Sequence, residues 1–350
     1  MTEKETESPK LIEASAPCRI DLGGTLDIST FHYPLMRFNP CTFNIALDIR
    51  TRVAVSRYET GRVNITSRGF QSAEYPPGAA PFNHPLGLMF AISDYFQADG
   101  LRIDIISASP VKSALGGSSS AAVALAGALS RLRARRDEKP LSRRHIAELA
   151  HAIESVTAQA ICGIQDHLAA AYGGVNAWYW RPGFDGAAFR KKTVIRKNRF
   201  SELERSILLA YCGEPHESLD VNGRWAKQFI SGEYRDVWKE IIGCTHAFID
   251  ALAEKDVNTA CRWMNRETDM RRRLTADVLN DTGEMLVETA KHHHCGARFT
   301  GAGGGGCVWA LGEKTNIRRL RGHWEETLSG IEGACLLDTR IDSKGLLISA

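Results

Sequence analysis

Residues 110–126 read Pro-Val-Lys-Ser-Ala-Leu-Gly-Gly-Ser-Ser-Ser-Ala-Ala-Val-Ala-Leu-Ala, a run of small residues that leads into an alanine-rich apolar segment. Gly116 and Gly117 lack a Cβ, so the backbone can turn sharply there and approach a ligand closely. The three serines that follow stand where a helix should begin and can cap it. Unpaired N–H groups and the helix dipole make such an N-terminus a phosphate cradle. The stretch therefore predicts a phosphate-binding loop; a turn that only caps a buried helix is the alternative.

This loop differs from the common P-loop, because the pattern G-x-x-x-x-G-K-[S/T] needs a lysine that does not follow Gly117. Metal ligands and catalytic groups must then come from elsewhere in the chain. Two carboxylates downstream are candidates: Glu154 on a predicted helix, and Asp166 near the start of the next one. Taken alone, Asp166 would more often be a helix cap or a surface residue than a catalyst.

A second glycine run occupies residues 300–306, Thr-Gly-Ala-Gly-Gly-Gly-Gly, between Phe299 and the apolar segment that starts at Cys307. Glycines at this density allow close backbone approach and unusual dihedral angles. A flexible linker is the alternative, but linkers seldom join two apolar strands so tightly. We therefore expect a structured turn with a function.

The N-terminal segment 16–27 reads Ala-Pro-Cys-Arg-Ile-Asp-Leu-Gly-Gly-Thr-Leu-Asp. Arg19 and Asp21 alternate with apolar neighbours, and a solvated strand face would explain that pattern. The two glycines before Asp27 indicate a turn that carries a polar group into a cleft.

Composition places the chain among ordinary globular proteins, with 43% hydrophobic and 24% charged residues. Its 350 residues suggest about two domains, and the formal net charge of +3 gives no reason to expect a nucleic-acid partner. The first ten residues lack the apolar core of a signal peptide, and no apolar run reaches 18 residues, so we expect a cytoplasmic protein without a membrane partner.

Nine scattered cysteines predict reduced thiols. The run 292–295, His-His-His-Cys, looks metal-like but lacks a second ligand cluster, so a helix end is the better interpretation.

Periodicity along the chain predicts an α+β protein with two lobes, because a strand-rich part precedes helical and mixed parts. We expect a disordered tail over residues 1–10, an N-terminal lobe over 11–200 and a C-terminal lobe over 201–350. Strands are predicted at 11–22, 42–58, 63–67, 101–107, 175–179, 193–195, 206–211 and on both sides of the second glycine run; helices are predicted at 84–96, from the serines to about 132, at 142–160, from 166 to 173 and over most of the region up to 288. The strands at 42–58 and 63–67 should form a hairpin or meander, and segments 334–338 and 346–349 should complete the last sheet.

Three of these motifs, in this order, resemble the motifs of the GHMP kinases, the superfamily of galactokinase, homoserine kinase, mevalonate kinase and phosphomevalonate kinase. The resemblance spans roughly residues 14–311 and is carried by segment 16–24, by the loop at 110–122 and by the second glycine run. Segment 165–174, Gln-Asp-His-Leu-Ala-Ala-Ala-Tyr-Gly-Gly, is most similar to the branch that phosphorylates sugars at the anomeric hydroxyl, including D-glycero-D-manno-heptose 7-phosphate kinases and fucokinase-like enzymes.

The resemblance implies a GHMP kinase fold with a ribosomal-S5-like N-terminal lobe, a ferredoxin-like C-terminal lobe and an active site between them. It also implies ATP and Mg²⁺ as cofactors, with Asp166 as the catalytic carboxylate and Arg19 as its partner. That arginine would keep the carboxylate ionised by lowering its pKa. The remaining roles fall on these residues: for the ATP phosphates Lys112, Ser113, Ala114, Leu115, Gly116, Gly117, Ser118, Ser119 and Ser120; for the metal Ser118 and Glu154; for the substrate Gly24, Asp27, His32, Gln165 and Gly174; and for the third motif Gly301, Gly303 and Gly304.

Several residues depart from the family pattern. Ala114 and Gly117 replace a glycine and a serine of the phosphate loop without adding bulk, so the cradle should survive. His167 and the segment 25–37 differ where the family binds sugar. We therefore expect a kinase for a sugar or sugar phosphate at the anomeric hydroxyl, and a homodimer stays open. A kinase for a non-sugar alcohol of the mevalonate or homoserine type is the alternative, and a non-catalytic nucleotide- and sugar-binding regulator is a third reading.

Overall fold

A computed structural model describes residues 10–134, 139–158, 161–181, 188–214 and 221–349. The predicted disordered tail lies almost entirely outside these ranges. The strands are β1 (Lys10–Leu22), β2 (Cys41–Arg57), β3 (Val63–Ser67), β4 (Ala73–Tyr75), β5 (Leu101–Ser107), β6 (Val175–Trp180), β7 (Phe189–Ile195), β8 (Ile207–Tyr211), β9 (Gly296–Phe299), β10 (Cys307–Leu311), β11 (Cys335–Leu336) and β12 (Leu347–Ser349).

Eleven α-helices accompany these strands in the described residues. They are α1 (Ser29–His32), α2 (Gly87–Tyr95), α3 (Gly117–Ala134), α4 (Arg143–Thr157), α5 (Gln165–Tyr172), α6 (Phe200–Glu204), α7 (Val221–Ile230), α8 (Arg235–Ala253), α9 (Val257–Leu274), α10 (Asp281–His292) and α11 (Lys314–Ser329). Ser142 caps α4 as predicted, since its hydroxyl accepts from the His145 N–H at 3.3 Å. None of the described helices is long and apolar enough to cross a bilayer.

Two sheets organise the chain and confirm the predicted α+β class. The first runs in the order β12-β1-β2-β5-β3-β4, and β6 joins it by pairing with β2 and β7. The second runs β11-β8-β10-β9. Helices α2 to α4 cover one end of the first sheet, while the apolar residues of β1 beyond Pro17 share a core cluster with the second sheet.

The predicted hairpin or meander of β2 and β3 is wrong. Strand β5 lies between them, antiparallel to β2 and parallel to β3. A parallel neighbour requires a crossover, and the segment between β3 and β5 provides it with α2. Alternation of apolar residues located both strands but carried no information about which edge each one joins.

The last strand is also placed differently from the prediction. β11 pairs with β8 of the second sheet, as expected, but β12 pairs with β1 of the first sheet. Arg50 on β2 holds the connecting segment, because its guanidinium donates to the Gly345 carbonyl at 2.7 Å and pairs with Asp342. The C-terminus therefore returns to the N-terminal sheet, and the boundary near residue 200 stays a prediction.

Polar side chains of the N-terminal segment are buried rather than solvated. Arg19 is 4% exposed and Asp21 is not exposed at all. The interpretation of this part of β1 as a solvated face is wrong, because the second sheet, α3 and α5 enclose the strand on both sides.

The cysteines are free thiols, and His293 and Cys295 of the histidine run pack against other residues of the protein. All nine cysteines are in the described ranges, and none forms a disulfide. The rings of His293 and His323 pack with centroids 4.3 Å apart, and Cys295 is buried. The described residues contain no group of three or more His, Cys, Asp and Glu side chains that could hold a metal ion.

Candidate active site

The predicted phosphate loop precedes α3 in a tightly wound backbone. Lys112, Ala114 and Gly116 all have positive φ angles, of 54°, 59° and 76°. A Cβ on Gly116 would lie 3.1 Å from the nearer carboxylate oxygen of Asp166, so a glycine is needed for this close approach. Ala114 adopts the left-handed conformation at a cost that glycine would avoid. The loop therefore accommodates alanine at this position, and whether it still holds phosphate stays a prediction.

A cavity of about 580 Å³ opens in front of this loop and reaches from the first sheet to the second glycine run. It brings together most of the residues predicted for the site, although they are scattered over 280 positions of the sequence. The predicted residues on its wall are Arg19, Asp27, Lys112, Ser113, Ala114, Gly116, Gly117, Ser118, Ser119, Glu154, Gln165, Asp166 and Gly301.

Arg19 and Asp166 form a two-pronged ion pair at the wall of this cavity. The Arg19 Nε lies 2.7 Å from one carboxylate oxygen and Nη2 lies 2.8 Å from the other. The third nitrogen donates to the Ala114 carbonyl at 2.6 Å, which ties the pair to the phosphate loop. Such bidentate geometry fixes both partners. The predicted pairing of these two residues is therefore present in the structure.

The pKa of Asp166 differs in direction from the expectation. Burial raises it, Arg19 lowers it by charge and hydrogen bonding, and the outcome lies above the ordinary value. Desolvation is the largest effect on this pKa, and the negative charge of Asp21 adds to it, so the two together outweigh the lowering by Arg19. A raised pKa makes this carboxylate a better proton acceptor than an isolated aspartate.

Glu154 meets the serines of α3 from the facing helix α4. Ser118 donates to its Oε1 at 3.2 Å, and Ser119 donates to its Oε2 at 3.0 Å. Burial alone would raise the pKa of Glu154, but His167 and the serine hydroxyls lower it below the ordinary value. An ionised carboxylate beside a cavity-facing hydroxyl suits Mg²⁺, which prefers oxygen ligands and completes its shell with phosphate and water. The donor set predicted from the sequence therefore fits the metal.

The turn after β1 and the start of α5 form another part of the cavity wall. Asp27 is buried there and accepts from the backbone N–H of Gln165 at 2.9 Å. Burial raises the pKa of Asp27 to about 6, although that hydrogen bond opposes the shift. Thr25 donates to Asn222 at 3.0 Å, so α7 of the second lobe contributes to the same wall.

Several residues predicted for the site lie away from the cavity wall. The Ser120 hydroxyl donates to the carbonyls of Pro17 and Gly116, and its N–H is used by the helix, so this serine anchors α3 to β1. Leu115 is fully buried and offers its carbonyl to the Arg19 N–H. Both positions support the cradle from behind.

Three residues predicted for substrate are also placed elsewhere. Gly24 packs against Asp21, and its carbonyl accepts from Arg271 at 2.7 Å. His32 is buried among aromatic side chains on α1. Gly174 donates to the Asp342 carbonyl at the start of β6. None of the three lines the cavity.

The second glycine run is a structured loop, as expected. The Gly301 N–H donates to Asp21 at 2.8 Å, and the Gly304 N–H donates to the Val278 carbonyl at 2.8 Å. A Cβ on Gly303 would come within 2.4 Å of that same carbonyl. The loop is thereby pressed between Asp21 and the residues that precede α10, with Gly301 at the cavity.

Sequence reasoning missed a buried ionic cluster behind the site, which we call the interlobe clamp. Its members share complete burial, and they come from β1, α9 and β9: Asp21, Glu267, Arg271 and Arg298. Glu267 accepts from the Nε of Arg271 at 2.8 Å and from the Nε of Arg298 at 2.7 Å. Arg298 in turn lies 3.4 Å from Asp21. The sequence signal for this cluster is Arg298, a charged residue inside the short buried strand β9.

Comparison with protein families identifies the fold. The model described as GHMP kinases N terminal domain matches residues 83–174, and the model described as GHMP kinases C terminal matches residues 248–330. The two ranges together take up half of the chain. The chain belongs to the GHMP kinases. It is therefore an ATP-dependent kinase that transfers phosphate to an alcohol acceptor, and the predicted superfamily is confirmed.

Individual relatives of this GHMP kinase bear different substrate names. A mevalonate kinase from Pyrococcus abyssi is 25% identical and matches 97% of this chain and 98% of its own length. Among solved structures, a D-glycero-D-manno-heptose 1-phosphate kinase from Bacteroides thetaiotaomicron is similar with a TM-score of 0.73, 16% identity and coverage of 97% and 99% of the two chains. The galactokinase of Lactococcus lactis complexed with galactose is similar with a TM-score of 0.72 and 16% identity, and the match covers 96% of this chain and 95% of the galactokinase. At such identities the structures share the fold alone, so the acceptor has to be argued from the site.

Proposed function

We propose that this GHMP kinase transfers the γ-phosphoryl group of ATP to a hydroxyl group of a neutral sugar, with Asp166 facing that hydroxyl. The observation that carries the proposal is the Arg19–Asp166 pair, which lies on the cavity wall within hydrogen-bond reach of the phosphate loop. A carboxylate held at both oxygens by one arginine has little rotational freedom. It can therefore orient a hydroxyl and accept its proton as the bond to phosphorus forms.

The ATP phosphates would lie against the loop at 112–119, where backbone N–H groups and the N-terminus of α3 offer positive potential. Ser118 and Glu154 would hold Mg²⁺. The bound metal would supply charge neutralisation at the β- and γ-phosphoryl oxygens. Arg19 would limit the negative charge that develops at the transferred group, and the apolar side chains of Phe70, Leu88 and Met89 on the cavity wall suit the base.

The choice of a neutral acceptor rests on the charges around its end of the cavity. Among the described residues that line the cavity the cations are Arg19, Arg68 and Lys112. Arg19 is already engaged by Asp166, Lys112 belongs to the phosphate loop, and the Arg68–Phe70 turn packs beside Val111 next to that loop. Asp27 and Asp166 both line the cavity, so the carboxylate of an acceptor bound beside them would meet repulsion rather than a partner. Hydroxyl groups, in contrast, can donate to Asp27.

A second candidate is a mevalonate-type acceptor, the alternative that the sequence left open. Its support is the predominance of mevalonate kinases among the curated relatives, several of which match nearly the whole chain. The comparisons thus favour this alternative more than the sugar interpretation, whereas the charge pattern of the cavity favours the sugar.

An ATP-consumption screen separates the candidates. Purified protein is incubated with Mg²⁺, ATP and single acceptors: neutral monosaccharides, heptose phosphates, mevalonate and homoserine, with Asp166→Asn as the inactive control. We expect ADP release with a neutral sugar, and ³¹P and ¹³C NMR of the product then locate the phosphate. Release with mevalonate alone would replace our proposal by the second candidate. ATP binding without turnover on any acceptor would support the non-catalytic regulator.

A further inference from the structure

His167 lies on the metal side of the site, not on the acceptor side where its departure from the family pattern suggested. It follows Asp166 on α5 but points in another direction and is fully buried against α4. Its Nε2 lies 2.8 Å from the Oε2 of Glu154. The His151 ring packs against the His167 ring edge-on with centroids 5.4 Å apart, and His151 itself lies 3.3 Å from the Cys162 carbonyl.

The two oxygens of Glu154 have unequal surroundings. Oε2 accepts from the Ser119 hydroxyl at 3.0 Å and lies 2.8 Å from the Nε2 of His167, a close charged contact in which the ring N–H is not aligned for a hydrogen bond. Oε1 has the Ser118 hydroxyl at 3.2 Å, and Ser118 is exposed to the cavity. A carboxylate oxygen accepts about two hydrogen bonds. Oε2 is therefore enclosed by Ser119 and the His167 ring, while Oε1 retains the capacity to bind a cation together with Ser118.

We propose that His167 is a positioning residue that locks the Glu154 carboxylate, so that Oε1 and the Ser118 hydroxyl face the Mg²⁺ of bound MgATP. This inference rests on the proposed function, because it assumes that Glu154 and Ser118 hold the metal. His167 touches neither substrate nor metal. It acts through Nε2, the ring atom that lies 2.8 Å from the second carboxylate oxygen, and residues that orient a metal ligand in this way typically contribute 10- to 100-fold to metal affinity.

Two polar substitutions separate the contact made by Nε2 from the volume of the ring. In His167→Gln the amide nitrogen can reach the position of Nε2, whereas in His167→Asn the shorter amide reaches only the position of Nδ1. Both variants leave Asp166, Ser118 and Glu154 in place. Their folded state is checked by thermal unfolding and circular dichroism before any metal is added.

The readout is Mn²⁺ binding, measured by electron paramagnetic resonance with a non-hydrolysable ATP analogue, and analogue binding without metal. We expect His167→Asn to weaken Mn²⁺ binding roughly 10- to 100-fold, His167→Gln to stay within a few-fold of the unchanged protein, and metal-free analogue binding to be the same in all three. Equal Mn²⁺ affinity in the Asn variant would overturn the inference, as would equal losses in both variants. If the unchanged protein showed no nucleotide-dependent Mn²⁺ binding, the metal assignment in the proposed function would fail instead.

Discussion

Two ionic clusters of this protein have the same chemistry and opposite surroundings. The Arg19–Asp166 pair borders the cavity, where the Asp166 side chain is 20% exposed. The interlobe clamp, built on Glu267, has no solvent contact at any of its side chains. Because Asp166 is partly exposed, its carboxylate can contact a ligand. The buried charges of the interlobe clamp contact only other residues of the protein.

The clamp is better understood as a geometric constraint than as a source of stability. Burying charges costs several kcal/mol per ion before the pairing returns it, so the net gain from such a cluster is small. Arg271 Nη1 and Arg298 Nη2 also lack a hydrogen-bond partner within the described residues. The clamp instead fixes α9 against the turn that leads to Asp27, because Arg271 of α9 donates to the Gly24 carbonyl in that turn.

The largest effect on activity should come from the cavity pair. Asp166→Asn removes the proton acceptor but keeps the shape of the side chain, so we expect kcat to fall roughly 10²- to 10⁴-fold. Nucleotide affinity and thermal stability should change little. Steady-state kinetics and calorimetric ATP titration test this, and a loss of kcat below about tenfold, or ~1.4 kcal/mol, would show that Asp166 is not the base.

The clamp should respond with stability rather than with chemistry. Glu267→Gln leaves two buried arginines without their shared charge partner, and breaking a buried pair costs about 3–5 kcal/mol of unfolding free energy. Glu288→Gln is the matched control, because that carboxylate is half-exposed and its partners Arg272 and Lys291 lie at the surface. Its loss should cost about 0–1 kcal/mol. Urea unfolding measures both; similar losses for the two variants would erase the distinction between the clusters.

Asp27 lies between the two extremes, since it is buried but belongs to the cavity wall. Its folded-state pKa of about 6 exceeds the ordinary 3.8, so the protonated form favours the folded state. That stabilisation is present below about pH 4 and is lost as the pH rises through 6. Asp27→Asn should therefore be more stable than the unchanged protein at pH 7.5, by roughly 1–3 kcal/mol, and equal to it near pH 4.

The same variant tests the role of Asp27 toward the acceptor. Its KM for the acceptor should rise while its KM for ATP stays constant, because in the proposed arrangement Asp27 contacts the acceptor and not the nucleotide. Urea unfolding at several pH values and initial-rate kinetics provide both readouts. A stability difference that does not change with pH would contradict the raised pKa.

The smallest effect concerns two neighbouring serines on α3. Ser118→Ala should raise the Mg²⁺ concentration needed for half-maximal rate about fivefold, on the order of 1 kcal/mol, since its hydroxyl faces the cavity. Ser120→Ala should leave that concentration unchanged and lower stability by a similar energy, because its hydroxyl bonds Pro17 and Gly116. An unchanged Mg²⁺ titration for Ser118→Ala would remove this serine from the metal site.

Local patterns in the sequence located most elements but not their neighbours. The predicted bounds of β3 and β5 are those observed, because alternation and β-branched residues act within a few positions. The pairing of β3 with β5, and of β12 with β1, depends on which faces the helices cover. In the site, Arg19 and Asp166 were found through motifs, whereas Glu267, Arg271 and Arg298 sit in no motif and are spread over 32 positions.

The sequence by itself determined the family motifs and predicted the phosphate loop and the pairing of Arg19 with Asp166, because glycine conformations and side-chain chemistry are properties of single positions. Only the tertiary structure decided which polar side chains are buried and which neighbours they contact. It turned His167 toward Glu154 instead of the acceptor, enclosed Asp21 within the clamp, and raised the pKa of Asp27 by removing it from water. Each of these three results depends on the residues that surround the side chain in space. Those neighbours come from distant parts of the chain, so no local sequence pattern indicates them.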